Sequence, residues 1–145
     1  MPRHKIPALR RKEGLYLDNA GHKGRGVFCK TAIKRGEILE VTPALVLNEK
    51  ATTLADKTAL LNYTFIIGGI SKAQRKRAGM KNSGKASAVV MGILSFCNHG
   101  EEPNAEILWE ERAGTLYYLL RATKNIPKRT EICTTYGDDW FKERA

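Results

Sequence analysis

Three short stretches of this chain carry residue types that could do chemistry. Asn98 and His99 follow directly on the apolar run ending Leu94-Ser95-Phe96-Cys97 and lead through Gly100-Glu101-Glu102 to Pro103-Asn104. Both side chains can donate and accept hydrogen bonds, and Pro103 stiffens the backbone where the chain turns. A polar pair set straight after a buried-looking strand needs partners, from backbone or from a ligand. Lys23-Gly24-Arg25-Gly26 lies in a loop whose glycines let backbone N–H and C=O groups approach a ligand closely, with Lys23 or Arg25 beside a carboxylate. Tyr136-Gly137 places a phenol before a glycine, and Asp138-Asp139-Trp140-Phe141 follows.

Each stretch also has a plain structural explanation: a glycine-rich hairpin turn, a hydrogen-bonded strand cap, a core strand ending in a turn. The glycine loop lacks the G-K-[ST] ending of a phosphate-binding loop, and no helix pattern follows it as a dinucleotide fingerprint would require. Cys97 and His99 lack two further ligands at zinc spacing, so no metal is expected.

The elements that must position these residues read mostly as strands. Residues 1–13 form a basic arm. Leu15-Tyr16-Leu17, the glycine loop and Val27-Phe28-Cys29 read as strand, loop, strand. Ile33-Lys34-Arg35-Gly36-Glu37 is a turn into Ile38–Leu47, where Pro43 argues for an edge or a bend. Thr53-Leu54-Ala55-Asp56 fits a helix start, giving a short helix to about Asn62 with Leu54, Leu60 and Leu61 on one face. Tyr63–Ile67 is β-rich, residues 71–85 are a basic insertion, and Ala88–Phe96 returns to the core. Glu106–Trp109 and Thr115–Leu120 make a hairpin across Arg112-Ala113-Gly114, and Glu131–Tyr136 is a last strand. No repeat or linker divides residues 14–145, which read as one domain.

Composition narrows the classes. The 145 residues suffice for one core, and no apolar stretch approaches the ~20 residues of a membrane helix. No secretory signal is expected, so the cytoplasm (with the nucleoid) or a nucleus is the expected place. Cys29, Cys97 and Cys133 are odd in number and set among apolar residues, as buried thiols in a reducing compartment would be. The net charge of +10 is uneven: residues 1–100 hold 18 Lys/Arg against 6 Asp/Glu, and residues 101–145 hold 7 against 9. A basic body suits a polyanion or an acidic partner surface.

The order of these pieces is more telling than any one of them. A glycine loop before a strand, a Gly-Glu turn before the next, Phe96-x-Asn98-His99-x-x-x-Pro103-Asn104, then Glu131-Ile132-x-x-x-Tyr136-Gly137 resembles the SET-domain protein lysine methyltransferases over residues 14–141. The likeness is greatest to small stand-alone bacterial and viral members.

The resemblance implies a mainly β, SET-domain (β-clip-like) fold of several small antiparallel sheets with one or two short helices. It also implies a C-terminal segment threaded, pseudoknot-like, under the Asn-His loop. It implies S-adenosylmethionine as cofactor, held by Lys23, Gly24, Arg25 and Gly26, by Asn98 and His99, and by Tyr63 and Trp140. Tyr136 matches the catalytic tyrosine, and Phe65 and Phe96 join Tyr63 and Tyr136 in walling the lysine channel. The expected substrate is a lysine on an extended segment of a basic protein, such as a histone or nucleoid-associated protein. The arm and residues 71–85 are candidate DNA contacts. Glu101, Glu102, Glu106, Glu110 and Glu111 could form an acidic rim for a basic tail.

Four positions depart from the family pattern. Gly100 stands where Ser is usual. Glu101 replaces a cysteine that shares a zinc with a cysteine-rich tail in many members. Thr130 replaces the Gly of a Gly-Glu turn. Thr134 takes a position where Phe or Tyr often tunes the degree of methylation. Two other readings remain at this stage: a SET-like module that binds without catalysis, and a basic β-domain that stacks nucleic acid on Trp109, Tyr117 and Tyr118.

Overall fold

The computed structural model describes residues 9–66 and 87–135. The arm up to residue 8, the basic insertion at 71–85, Tyr136 and Trp140 lie outside the described residues.

The core is built on β4 (Ile38–Leu47), a ten-residue strand with neighbours along both edges. On one edge, residues 38–43 pair antiparallel with β9 (Thr115–Ala122), which pairs in turn with β8 (Ala105–Arg112). On the other, β1 (Arg10–Arg11) covers Glu40 and Val41, and β6 (Ser87–Val90) covers Ala44 to Leu47. The short β5 (Thr64–Ile66) extends the sheet beyond β6. The basic stretch expected over 1–13 is therefore docked on the sheet from Arg10 onward. Pro43 sits inside β4 rather than at an edge. It is the last residue paired with β9, and its carbonyl accepts from the Met91 N–H at 3.4 Å. The strand changes partners there, which is where a missing N–H does least harm.

A separate hairpin joins β2 (Leu15–Asn19) to β3 (Arg25–Cys29), as the sequence reading expects. The β8–β9 turn falls at Ala113 and Gly114, both at positive φ (51° and 84°), the pattern of a two-residue hairpin turn. The helix lies earlier than expected. α1 spans Glu49–Ala55, and the Asn48 side chain caps it by accepting from the Ala51 N–H at 2.8 Å. Its buried residues are Thr52 and Ala55, whereas Leu54 and Leu60 are exposed, so the apolar face drawn through the leucines is not the packed one. Asn48 is the stronger cap because its side chain reaches a free helical N–H while Glu49 sits in the first turn.

Leu39, Leu94, Leu116, Leu120, Ile126 and Ile132 are fully buried and form one cluster with Val27 and Cys29 of the β2–β3 hairpin. All three cysteines are buried and carry no disulfide. Among the described residues one strand pair departs from the antiparallel plan: β7 (Asn98–His99) and β10 (Cys133–Thr134) run parallel, in register Asn98 with Cys133 and His99 with Thr134. Residues far apart in sequence meet there, and this pairing lays the C-terminal segment along the Asn-His stretch. Among the described residues, no helix is long and apolar enough to cross a membrane.

Candidate functional site

The parallel pair is locked by Asn104. Its Oδ1 accepts from the Cys133 N–H at 2.9 Å, its Nδ2 donates to the Glu131 carbonyl at 2.9 Å, and its own N–H donates to the Cys133 carbonyl at 3.2 Å. The Gly100 N–H donates to the Thr134 carbonyl at 2.9 Å on the other side. Residues 131–134 are thus held by both arms of the 98–104 turn, the threading that the family resemblance implies.

Glu131 then draws together the glycine loop and the Asn-His stretch. One carboxylate oxygen accepts from Lys23 Nζ at 2.9 Å and the other from Asn98 Nδ2 at 2.7 Å. Asn98 Nδ2 also donates to the Arg25 carbonyl at 3.0 Å. The carboxylate beside Lys23 is the chain's own. Any side chain on Gly26 would overlap this carboxylate, whereas Gly24, at φ 82°, has open space beside it. The hydrogen bond that Lys23 donates to Glu131 raises its pKa above the ordinary value, against a smaller lowering by burial. Burial raises the Cys133 thiol pKa, and the Glu131 charge adds to it.

A second carboxylate holds the approach to Asn98. Glu40 is 1% exposed, in the middle of the apolar strand β4. It accepts the backbone N–H of Ile93 at 3.1 Å and of Leu94 at 2.9 Å, and pairs with Arg11 Nε at 2.8 Å. Gly92 must be glycine, since a Cβ would run into the Glu40 carboxylate. This clamp fixes the 3-10 turn Ile93–Phe96 and so aims Phe96. Its one trace in the sequence is an isolated acid inside Ile38-Leu39-Glu40-Val41.

Beside this assembly opens an apolar cleft of about 710 Å³, walled among others by Leu17, Arg25, Leu60, Tyr63, Met91 and Phe96. The Arg25 guanidinium lies 4.6 Å over the Phe96 ring, and Tyr63 meets the same ring edge-on at 6.0 Å. Of the residues singled out from sequence, Lys23, Gly26 and Asn98 converge on Glu131, and Arg25 joins them through its carbonyl. Tyr63, Phe96 and the Arg25 side chain wall the cleft. His99 pairs with Thr134 in β10 and turns its Nε2 toward Glu101 at 3.7 Å. Phe65 stands apart from this group, its ring 5.3 Å from Tyr118 in the sheet.

Three sequence expectations change here. Tyr117 and Tyr118 are buried and Trp109 packs against the core, so the aromatic platform for stacking bases does not form. Burial also pushes the Tyr118 phenol up to about 12. Glu106 and Glu110 pair with Arg121 and Arg112 on the β8–β9 hairpin, and the Glu111 side chain accepts from the Gly114 N–H, which narrows the acidic rim to Glu101 and Glu102. The residue in the left-handed conformation before Glu131 is Arg129, at φ 59°, so the glycine-like position falls one residue before Thr130.

A parallel strand pair, a glycine loop and a clamped Asn-His strand thus stand together beside an apolar cleft. The family model for the SET domain matches residues 24–137, and the chain belongs to that family. No curated protein sequence matches it. Among solved structures, it is similar to a candidate histone methyltransferase of Plasmodium falciparum, with a TM-score of 0.62 and 21% identity over 90% of this chain and 98% of that one. It is also similar to the Neurospora SET domain protein DIM-5, a histone lysine methyltransferase, with a TM-score of 0.65 and 21% identity over 86% of this chain and 52% of that one.

Proposed function

We propose that this protein is a lysine methyltransferase that takes its methyl group from S-adenosylmethionine and acts on a lysine of an extended protein segment. The observation that carries this reading is the convergence of the glycine loop, Asn98 and the C-terminal segment on Glu131, beside a cleft of ligand size. The residues present fit the cofactor. Gly24 leaves backbone bare for close approach, the amide oxygen of Asn98 offers an acceptor while its nitrogen is held by Arg25 and Glu131, and the apolar walls suit an adenine ring and an alkyl chain. His99 and Trp140 complete the proposed cofactor set on the strength of the family pattern.

When bound, S-adenosylmethionine supplies an electrophilic methyl group on a sulfonium. The chain's task is to deliver a neutral amine in line with it. A free lysine titrates near ~10.4 and is mostly protonated at neutrality. Tyr63 and Phe96 would strip water from the entering ammonium, and the Arg25 cation held over Phe96 would repel it; both effects favour loss of the proton. Tyr136, next in sequence after Thr135, would align the amine through its hydroxyl, and positioning of this kind carries much of the rate. Phe65 would act from behind the channel wall. The exposed Glu101 and Glu102 favour a basic segment, such as a histone or nucleoid-protein tail.

The test is transfer of labelled methyl from S-adenosylmethionine to lysines of a basic protein mixture. Tyr136→Phe should abolish most of the labelling, and full labelling by that variant would remove Tyr136 from its role. Asn98→Ala should weaken cofactor binding in calorimetry. Cofactor binding without transfer to any lysine would identify a catalytically idle SET module instead.

A further inference from the structure

The cleft and its Glu131 cluster belong to the proposed reaction, but a second feature lies outside it. Two basic turns are drawn together by a local twofold exchange of backbone hydrogen bonds. The Ile33 N–H donates to the Ile126 carbonyl and the Ile126 N–H to the Ile33 carbonyl, both at 2.8 Å. Three residues after each isoleucine comes a left-handed residue, Gly36 at φ 88° and Arg129 at φ 59°. Each closes the same way: the Gly36 N–H donates to the Ala122 carbonyl and the Arg129 N–H to the Cys29 carbonyl, again at 2.8 Å. The Arg35 N–H, bound to Asn125 Oδ1 at 2.8 Å, ties the turns once more.

Both isoleucines point into the core, so everything else on these turns faces water. Lys30, Lys34, Arg35, Lys124, Lys128 and Arg129 are all exposed. Residues 30–36 and 124–130 contain no acid and no aromatic. Among the described residues, none of the six cations is in an ion pair. Unpaired like charges held side by side repel one another, so the arrangement lowers stability unless a counter-charge arrives.

Arg129 sharpens the point. A side chain in the left-handed region strains the backbone, and the twin turn avoids that cost with Gly36. The Arg129 side chain recovers none of it through an ion pair within the described residues.

We infer that these two turns form a docking surface for the phosphate backbone of duplex nucleic acid. Lysines and arginines without an apolar or aromatic anchor suit phosphates better than a protein surface, where binding energy concentrates in buried aromatic contacts. The lack of aromatics also removes the stacking platform that a single strand would use. The surface is independent of the cleft. Arg25 marks the cleft end of β3 and Lys30 follows its far end, five residues on and about 17 Å away at the usual rise per residue. A bound duplex therefore leaves the cleft open to a protein held on the same nucleic acid.

The experiment measures binding of the full chain to a short mixed-sequence duplex by fluorescence anisotropy across a salt series, with no methyl donor present. Its outcome is thus separate from that of the methyltransferase assay. The triple variant Lys34→Gln, Lys128→Gln, Arg129→Gly should lose more than tenfold in affinity at low salt. Its slope of log K against log[salt] should shrink by about 2–3, on the order of 0.9 per lost phosphate contact. Arg129→Gly alone should weaken duplex binding while raising the melting temperature, because it relieves the backbone as it removes the charge. An unchanged salt slope in the triple variant, a wild-type chain that ignores duplex, or capture of polyglutamate in preference to duplex would each overturn the assignment.

Discussion

Gly100 and Cys133 approach so closely where the parallel pair ends that a Cβ on Gly100 would stand 2.8 Å from the Cys133 Cβ and 3.5 Å from its sulfur. The glycine that replaces the family's usual serine is thus a consequence of what lies opposite it. Gly100→Ser should lower stability by about 1–3 kcal/mol in urea unfolding, the usual penalty for overpacking. Cys133→Gly, which removes the opposing Cβ, should make the second substitution much less harmful. A double-mutant cycle with no coupling between the two sites would show that the close approach is not what demands glycine.

Glu40 and Arg11 form an ion pair with unequal partners, one buried and the other 52% exposed at its side chain. Glu40→Gln should cost about 3 kcal/mol, because two backbone N–H groups and a guanidinium lose the charge they are bound to. Arg11→Ala should cost under about 1 kcal/mol, since water takes over at an exposed position. Equal effects from the two substitutions would contradict the view that the carboxylate chiefly clamps the Gly92–Leu94 backbone.

How much of this was legible follows the range of the forces involved. The β2–β3 hairpin, the β8–β9 turn and the buried thiols depend on local pattern and were readable from the chain. The meeting of Asn98 with the C-terminal segment was reachable only through the family resemblance, because a parallel pairing of Asn98 with Cys133 leaves no periodic trace. Glu131 belongs to the Glu131-Ile132-x-x-x-Tyr136-Gly137 motif, but nothing in the chain marks it as the acid that faces Lys23 across 108 positions of sequence. Glu40 is an isolated acid in an apolar strand, and its backbone partners lie 53 and 54 positions away. The helix start was missed by a few residues because Asn48 outcompetes Thr53 as a cap, a contest between two local signals of the same kind.

The Lys23–Glu131 contact gives a pH dependence with a definite sign. The Lys23 pKa is raised on folding above 10.5, so its contribution to stability is complete below that value. It is lost as pH climbs through the raised folded value. The stability difference between the wild type and Lys23→Met should therefore stay flat from about pH 7 to pH 10 and then narrow in more alkaline solution. Denaturant midpoints of both proteins over that range provide the measurement, and a difference that widens with alkalinity would have the wrong sign. The Lys23 side chain is about one-third exposed, so the whole effect should also fade with added salt.

Thr134 is 1% exposed, and among the described residues its buried hydroxyl has no hydrogen-bond partner, two residues before Tyr136. Burying an unmatched hydroxyl costs roughly 1–3 kcal/mol, a cost that valine, nearly the same shape, does not carry. Thr134→Val should therefore raise stability by about 1 kcal/mol or more in urea unfolding. Thr134→Ser keeps the hydroxyl but loses a methyl group from a packed site, so it should be less stable than the wild type. If Thr134→Val proves more stable and transfers methyl groups as before, the hydroxyl has no part in the proposed site. If the stability gain comes with lost transfer, the hydroxyl belongs to the reacting complex, where the entering amine or a water held beside it would be the partner not found among the described residues.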